Sequence, residues 1–230
     1  GGNTLSNSVS EIWVDEGANL GHFKNQSEED SAYHLACTNV MVNDNAIYNN
    51  FTLQIGGKIA RNEVNCEIAG SKAEAHVNGA YFGNGDQHMD NTSFIDHAVP
   101  NSNSFETFKG VLDDSASAVF QGKILVRKDA QQTDGQQMNR ALLLSRKAEV
   151  NAKPELEIYA DDVKCSHGAT VGELDTSQLF YLMARGIDEK TARNLLVQAF
   201  LYEVLDKIPA DDIKQAFHDV IEAKLEGLSS

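Results

Sequence analysis

From 154 to 160 the chain alternates, with Leu156, Ile158 and Ala160 on one side and Glu155, Glu157 and Tyr159 on the other. A period of two is that of a half-buried strand. Between 32 and 126 the same habit recurs. Short runs rich in β-branched and small residues, at 34–42, 47–55, 63–68, 73–82, 92–95, 105–112 and 116–126, are broken by turns of Asn, Asp and Gly. Residues 11–14 read as one more short strand and 27–30 as an acidic turn, within an otherwise weakly patterned first 30 residues. Residues 129–153 carry a Gln-rich turn followed by Leu142, Leu143 and Leu144, a triplet too short to assign by period. The last strand-like section runs from 155 to 172.

Many short strands with frequent turn signals predict a sandwich, a barrel or a solenoid. Three features favour the solenoid. Glycines recur inside the strands (Gly79, Gly110, Gly122), where stacked coils approach closely. Asn is placed at the expected corners (Asn39, Asn43, Asn62, Asn65, Asn78, Asn91, Asn103), and Asn tolerates the left-handed backbone that a corner needs. Hairpin dipeptides such as Asn78-Gly79 and Asp134-Gly135 are few. No exact repeat length emerges.

After Asp175 the period changes to that of a helix. A helix over 176–185 carries Leu179, Phe180, Leu182 and Met183 and stops at Gly186. Asp188 caps a second helix reaching about 208, whose apolar positions Ala192, Leu195, Leu196, Ala199, Phe200, Val204 and Leu205 are widened by Val197, Leu201 and Tyr202. That stripe is broader than one core face requires, which suits a partner-docking helix as well as a buried one. Pro209 opens a third segment, with Asp211 and Asp212 at its positive end. The expected architecture is a β-solenoid core over 1–175 and an α-helical region over 176–230.

Charge and composition narrow the function. A net charge of −15 on 230 residues suits neither nucleic acid nor an anionic membrane. No apolar run approaches the ~20 residues of a membrane span, and no basic segment precedes an apolar one as in a secretion signal. The chain opens Gly1-Gly2 without Met, as a fragment or a trimmed tag does. Three cysteines, Cys37, Cys66 and Cys165, are odd in number and far apart, which argues for a reducing compartment such as the cytoplasm. Without a C-x-x-C the chain lacks a self-contained zinc or iron–sulfur ligand set.

The sharpest chemical pair is Cys165-x-His167, a thiol and an imidazole on one strand face. It could ligate a metal or pair a nucleophile with its base, or be a buried thiol beside a structural histidine. The run 87–97 holds His88, Asp90, Asp96 and His97, a composition that suits metal or hydrogen bonding at solenoid corners. Asp113-Asp114 and Asp161-Asp162 raise a polysaccharide-cleaving β-helix enzyme, but adjacent strand residues point to opposite faces. Phosphate-binding and hydrolase motifs are absent.

Several blocks together are more specific. Gln87-His88-Met89-Asp90, Phe108-Lys109-Gly110, Val119-Phe120-Gln121-Gly122-Lys123-Ile124, Ala130-Gln131-Gln132-Thr133-Asp134, Pro154-Glu155-Leu156-Glu157-Ile158, the stretch from Ala160 to Thr170, and Tyr181-Leu182-Met183-Ala184-Arg185-Gly186-Ile187 resemble the SufB/SufD scaffold proteins of iron–sulfur cluster assembly over roughly residues 30–208. The block from Lys164 to Thr170 is nearer SufD than SufB, since Ser166 and Gly168 stand where SufB carries carboxylates. The resemblance implies a right-handed parallel β-helix core and a C-terminal helical region, with the family's N-terminal helical region missing. It implies a non-catalytic scaffold of the SUF system that pairs with a SufB-like subunit, or with itself as a homodimer. His167, then Cys165, would be interface ligands for a transient iron–sulfur cluster, with no cofactor held stably by the chain alone. It also implies docking of a SufC-like ABC-type ATPase on the helices, through Leu179, Tyr181, Leu182, Arg185, Leu196 and Phe200. The alternatives are a mononuclear metal-binding solenoid and the polysaccharide enzyme.

Overall fold

The computed structural model describes residues 3–227; Gly1 and Gly2 lie outside the described residues. Its strands are β1 (Leu5–Val14), β2 (Asn19–Gln26), β3 (Tyr33–Val42), β4 (Ile47–Gln54), β5 (Ile59–Ile68), β6 (Glu74–Gly83), β7 (His88–His97), β8 (Asn103–Leu112), β9 (Ser117–Val126), β10 (Thr133–Leu143), β11 (Glu149–Ile158) and β12 (Val163–Glu173). Helices α1 (Thr176–Ala184), α2 (Glu189–Leu205) and α3 (Asp211–Gly227) follow. Odd strands form one six-stranded sheet, which we call sheet 1, and even strands form the other, sheet 2. Every neighbouring pair is parallel. The chain therefore winds as a flattened parallel solenoid of about six coils.

Alternation within each strand sends one set of side chains into the space between the sheets. Tyr48, Tyr81, Met89, Ile95, Phe108 and Phe120 fill it. The strand glycines serve these rings rather than the backbone. A Cβ on Gly110 would occupy the Tyr81 ring, and one on Gly79 the Phe108 ring. The expectation about Asn is corrected. Asn43 does sit at a corner, but Asn39, Asn62, Asn65, Asn78 and Asn91 lie within strands, and Asn103 begins one. Asn39 and Asn65 pair along the coils instead, Asn65 Nδ2 donating to Asn39 Oδ1 at 3.1 Å, while Asn62 and Asn91 bond across to sheet 2. The left-handed corner positions belong to Asn45, Lys72, Asn101, Asp114 and Gln132.

Three strands exceed what the pattern predicts. In β1 the inward positions are Ser6, Ser8, Ser10, Ile12 and Val14, so only its end looked apolar. β2 and β10 place polar side chains such as His22, Lys24, Gln137 and Asn139 inside. The 155–172 section is two strands, β11 and β12, split at the corner after Tyr159.

The helices begin where the sequence puts caps. Asp175 accepts from the backbone N–H groups of Ser177 and Gln178, and Asp188 from that of Thr191. Gly186 ends α1 at φ +89°. α2 and α3 cover the outer face of sheet 2, where Phe51, Leu53, Ala80, Phe82 and Val111 meet Val197, Leu201, Leu205 and Ile221 in a second core. Among the described residues no helix is long and apolar enough to cross a membrane.

Candidate functional site

The corner before β12 is set by one side chain. Gln131 Oε1 accepts from the backbone N–H groups of Asp161 and Asp162, at 3.2 and 2.9 Å. Asp161 and Asp162 are both exposed, and they bound a turn rather than a catalytic dyad. β12 then runs along β10 in register, Cys165 opposite Gly135 and His167 opposite Gln137. Cys165 and His167 do share a face, about 7 Å apart along the strand. Their surroundings differ. The Cys165 thiol turns inward over Gly135 and packs against the solenoid core. Burial pushes its pKa up, with Asp134 adding to the rise and a Gly135 backbone hydrogen bond opposing it. It is thus a protonated, weakly nucleophilic thiol at neutral pH. His167 is exposed.

β12 pairs only with β10, and β11 only with β9, so both sheets end here with unpaired main-chain edges. Ile158, Tyr159 and Val171 are exposed at this end. Bare edges beside exposed apolar side chains are the surface by which one sheet continues into another.

The other predicted cluster is dispersed. His88 bonds the Ser117 hydroxyl at 2.8 Å, Asp90 pairs with Arg61 and Asp96 with Arg127. His97 points the opposite way, buried between the hydroxyls of Ser102 and Ser104 at 2.7 and 2.8 Å. All four stand in β7, not at corners; His88, Asp90 and Asp96 find their partners one coil away, and His97 just past the following corner. Among the described residues no group of three or more His, Cys, Asp and Glu side chains is placed to hold a metal ion.

The predicted docking residues divide. Tyr181 is 58% exposed and Phe180, beside it, 73%. Arg185 donates to the Tyr181 hydroxyl at 3.1 Å and lies over its ring. Leu179 and Leu182 are half-buried. Leu196 and Phe200 line a groove of about 230 Å³ with Leu142 and Leu174, and Phe200 is held under the Lys109 ammonium, 4.4 Å from its ring centroid. Lys109, nearly buried, also pairs with Glu203. The width of the α2 stripe is used inside the molecule. Val197 and Leu201 face sheet 2, while Tyr202 meets His218 of α3 at 3.9 Å between centroids. Sequence reasoning passed over Phe180, Met183 and Leu195, which do face outward. Phe180 and Met183 stand on α1, a helix with no buried residue at all, and Leu195 stands on α2.

Residues 1–200 match the family described as SUF system FeS cluster assembly, SufBD core domain. The chain is 36% identical to an iron–sulfur cluster assembly SufBD family protein of Synechocystis, over 96% of this chain and 49% of that protein. It is 34% identical to the iron–sulfur cluster assembly protein SufD of Escherichia coli, over 94% of this chain and 51% of that protein. It is 36% identical to the chloroplastic protein ABCI7 of Arabidopsis thaliana, over 96% and 46%. The chain thus spans about half the length of these relatives.

Proposed function

Since this chain belongs to the SufBD family of iron–sulfur cluster assembly proteins, we propose that it is the core of a SufD-type scaffold, without catalytic activity of its own. The observation that carries this is the end of the solenoid formed by β11 and β12. There two unpaired sheet edges, an apolar fringe of Ile158, Tyr159 and Val171, and the exposed His167 lie together. A SufB-like subunit, or a second copy, adds its strands to these edges, and the solenoid winds right-handed as in the family. His167 reaches the joint as a ligand to the nascent cluster, which is cargo passing through the interface. Cys165 is the second candidate, its thiol facing the core and therefore dependent on local opening to ligate. Three free cysteines, one fully buried, suit a reducing compartment such as the cytoplasm.

The exposed face of α1, with Phe180, Tyr181, Met183 and Arg185, is the dock for a SufC-like ATPase, joined by Leu195 of α2. Leu179, Leu182 and Leu196 underlie that face, and Phe200 belongs to the internal contact with Lys109.

Co-expression of this chain with the SufB- and SufC-like proteins of its host, followed by affinity capture and mass determination, tests the reading. A complex holding all three is expected, and capture of the chain alone overturns it. Within that complex, His167→Ala is expected to reduce cluster formation while leaving assembly intact. Full cluster yield from the variant removes His167 from the ligand set.

A further inference from the structure

The space between the two sheets is not uniformly apolar. Along sheet 2, one inward row reads His22, Asn50, Val77, Glu106, Gln137 and His167, each opposite the next across the ladder. Lys24 and Asn139 lie in the adjacent inward row, and Asn62, Asn91 and Ser93 face them from sheet 1. Some of these groups meet directly. Lys24 Nζ donates to Asn62 Oδ1 at 3.1 Å, Asn91 Nδ2 to Gln54 Oε1 at 2.7 Å, and Gln137 Nε2 to Glu106 Oε2 at 2.6 Å.

The remaining valences are open. Among the described residues, the buried side-chain polar atoms lacking a partner are, apart from those of His34 and Asn84 near the corners, all in this interior. They are Asn50 Oδ1, Asn62 Nδ2, Ser93 Oγ, Glu106 Oε1, Gln137 Oε1 and Asn139 Nδ2. Buried polar atoms left bare are costly, and native interiors satisfy them with bound water. Donors and acceptors are both represented, as a connected file of water requires. Glu106 is its centre: fully buried, with one oxygen open, next to Gln137 and thus two strands from His167. Ser93 lies close enough to the carboxyl to lower its pKa, although its hydroxyl is not aimed for a hydrogen bond. Gly122 gives the Gln137 amide its place, since a Cβ there would overlap it.

We propose that the solenoid interior is a hydrated proton path, in which bound water links Lys24 at one end through Glu106 to the Gln137 amide at the other, and Glu106 takes up and releases the proton. The transfer is balanced within the chain and its water: a proton leaves the Glu106 carboxyl for the neighbouring water as another arrives from the opposite side. No charged side chain dominates the carboxyl. Burial alone lifts its pKa, to about 7, against the pull of Ser93 and Gln137. The titratable groups on the inward rows are His22 and Lys24 of β2, His34 of β3, Tyr48 of β4, Cys66 of β5, Tyr81 of β6, His97 of β7, and Cys165 with the exposed His167 and Glu173 of β12. The inward faces of β9 and β10 contribute none. At the Lys24 end, burial also brings the ammonium pKa down, to about 8, so that this group too exchanges its proton near neutrality.

The inference needs only this chain, so its failure leaves the scaffold reading standing. Infrared difference spectroscopy of the whole chain, with Glu106→Gln as the subtracted reference, isolates the Glu106 carboxyl band. A protonated band that grows as pH falls through neutrality is expected, and it should shift in heavy water within the mixing time. A band that shifts only at the rate of global unfolding shows a dry, sealed carboxyl and overturns the path, as does the absence of any protonated band. Asn62→Leu and Ser93→Ala each interrupt the file on the Lys24 side and are expected to slow that exchange by about tenfold or more. If both exchange at the wild-type rate, water does not run through these positions and the path is refuted.

Discussion

Two buried residues oppose each other in the pH dependence of stability. The His97 imidazole is held neutral by burial, its pKa lowered from 6.5 to about 4 in spite of Asp96 and Asp134. Between those values the unfolded chain binds a proton that the folded chain refuses, so its contribution rises with pH. Glu106 runs the other way. Its folded pKa of about 7 lies above the usual 4.5, so the unfolded chain releases a proton that the fold keeps, and stability falls as pH rises through that window. Each contribution is on the order of 3 kcal/mol, and from about pH 4.5 to 6.5 they cancel. Glu106→Gln removes one of them. We expect chemical denaturation of the variant to show stability rising more steeply with pH across that range than that of the wild type. Neither residue announced itself in the sequence, where His97 read as part of a metal-like run and Glu106 as an ordinary strand residue. Their character comes from burial between the two sheets, and for Glu106 from Gln137 one coil on, which a linear reading does not place beside it. Lys109 makes the same point. Its ammonium lies between Phe200 and Glu203, and its stem fills the joint between β8 and α2. Lys109→Ala is expected to cost about 1 kcal/mol more than Lys109→Met in urea denaturation, because Met keeps the stem.

Among the elements, the helices were the most legible. Asp188, Gly186 and Pro209 mark boundaries through local chemistry that needs no partner, and α1 to α3 fall where they place them. Which face each helix uses was less so, because a stripe at helical spacing looks the same against its own sheet as against another protein. Truncation separates the two. Leu201→Ala opens the core between α2 and sheet 2, and the denaturation midpoint should fall by an amount equivalent to about 2–5 kcal/mol. Phe180 is largely exposed in the isolated chain, and Phe180→Ser should change stability by less than about 0.5 kcal/mol. Its expected effect is weaker capture of the SufC-like ATPase, measured by calorimetric titration of the two proteins. The strands lie between these cases. β3 to β9 showed through β-branched alternation, while β1, β2 and β10 were obscured because their inward positions are Ser, His, Lys, Gln and Asn.

For the whole molecule, the solenoid could be inferred but its repeat could not. The register advances unevenly: Leu5 stands opposite Tyr33, Tyr33 opposite Ile59, and Ser117 opposite Glu149. Corners of different length absorb the variation, so stacking is regular in space and irregular along the chain. Of the candidate site, the placing of Cys165 and His167 on one strand face was legible and the surrounding surface was hidden, since the bare edges exist only once both sheets have formed. Tyr159→Lys with Val171→Lys charges that fringe. Sedimentation of the doubly substituted chain should show a shift toward monomer, with thermal unfolding changed little because both side chains are already exposed.

A stack of coils is also a ruler. Each added coil lengthens the molecule by one strand spacing, about 4.8 Å, and turns the faces at its ends only slightly. Helices α2 and α3 brace sheet 2 chiefly from β4 to β8, with Phe23 of β2 at the margin, so growth or loss of a coil ahead of β4 disturbs only that margin. Evolution can therefore set how far the β1 end stands from His167 in discrete steps, while keeping the proposed pairing edge and the proposed helical dock in fixed relation. Two partners held at opposite ends of such a rod would be spaced by counting coils rather than by remodelling either contact.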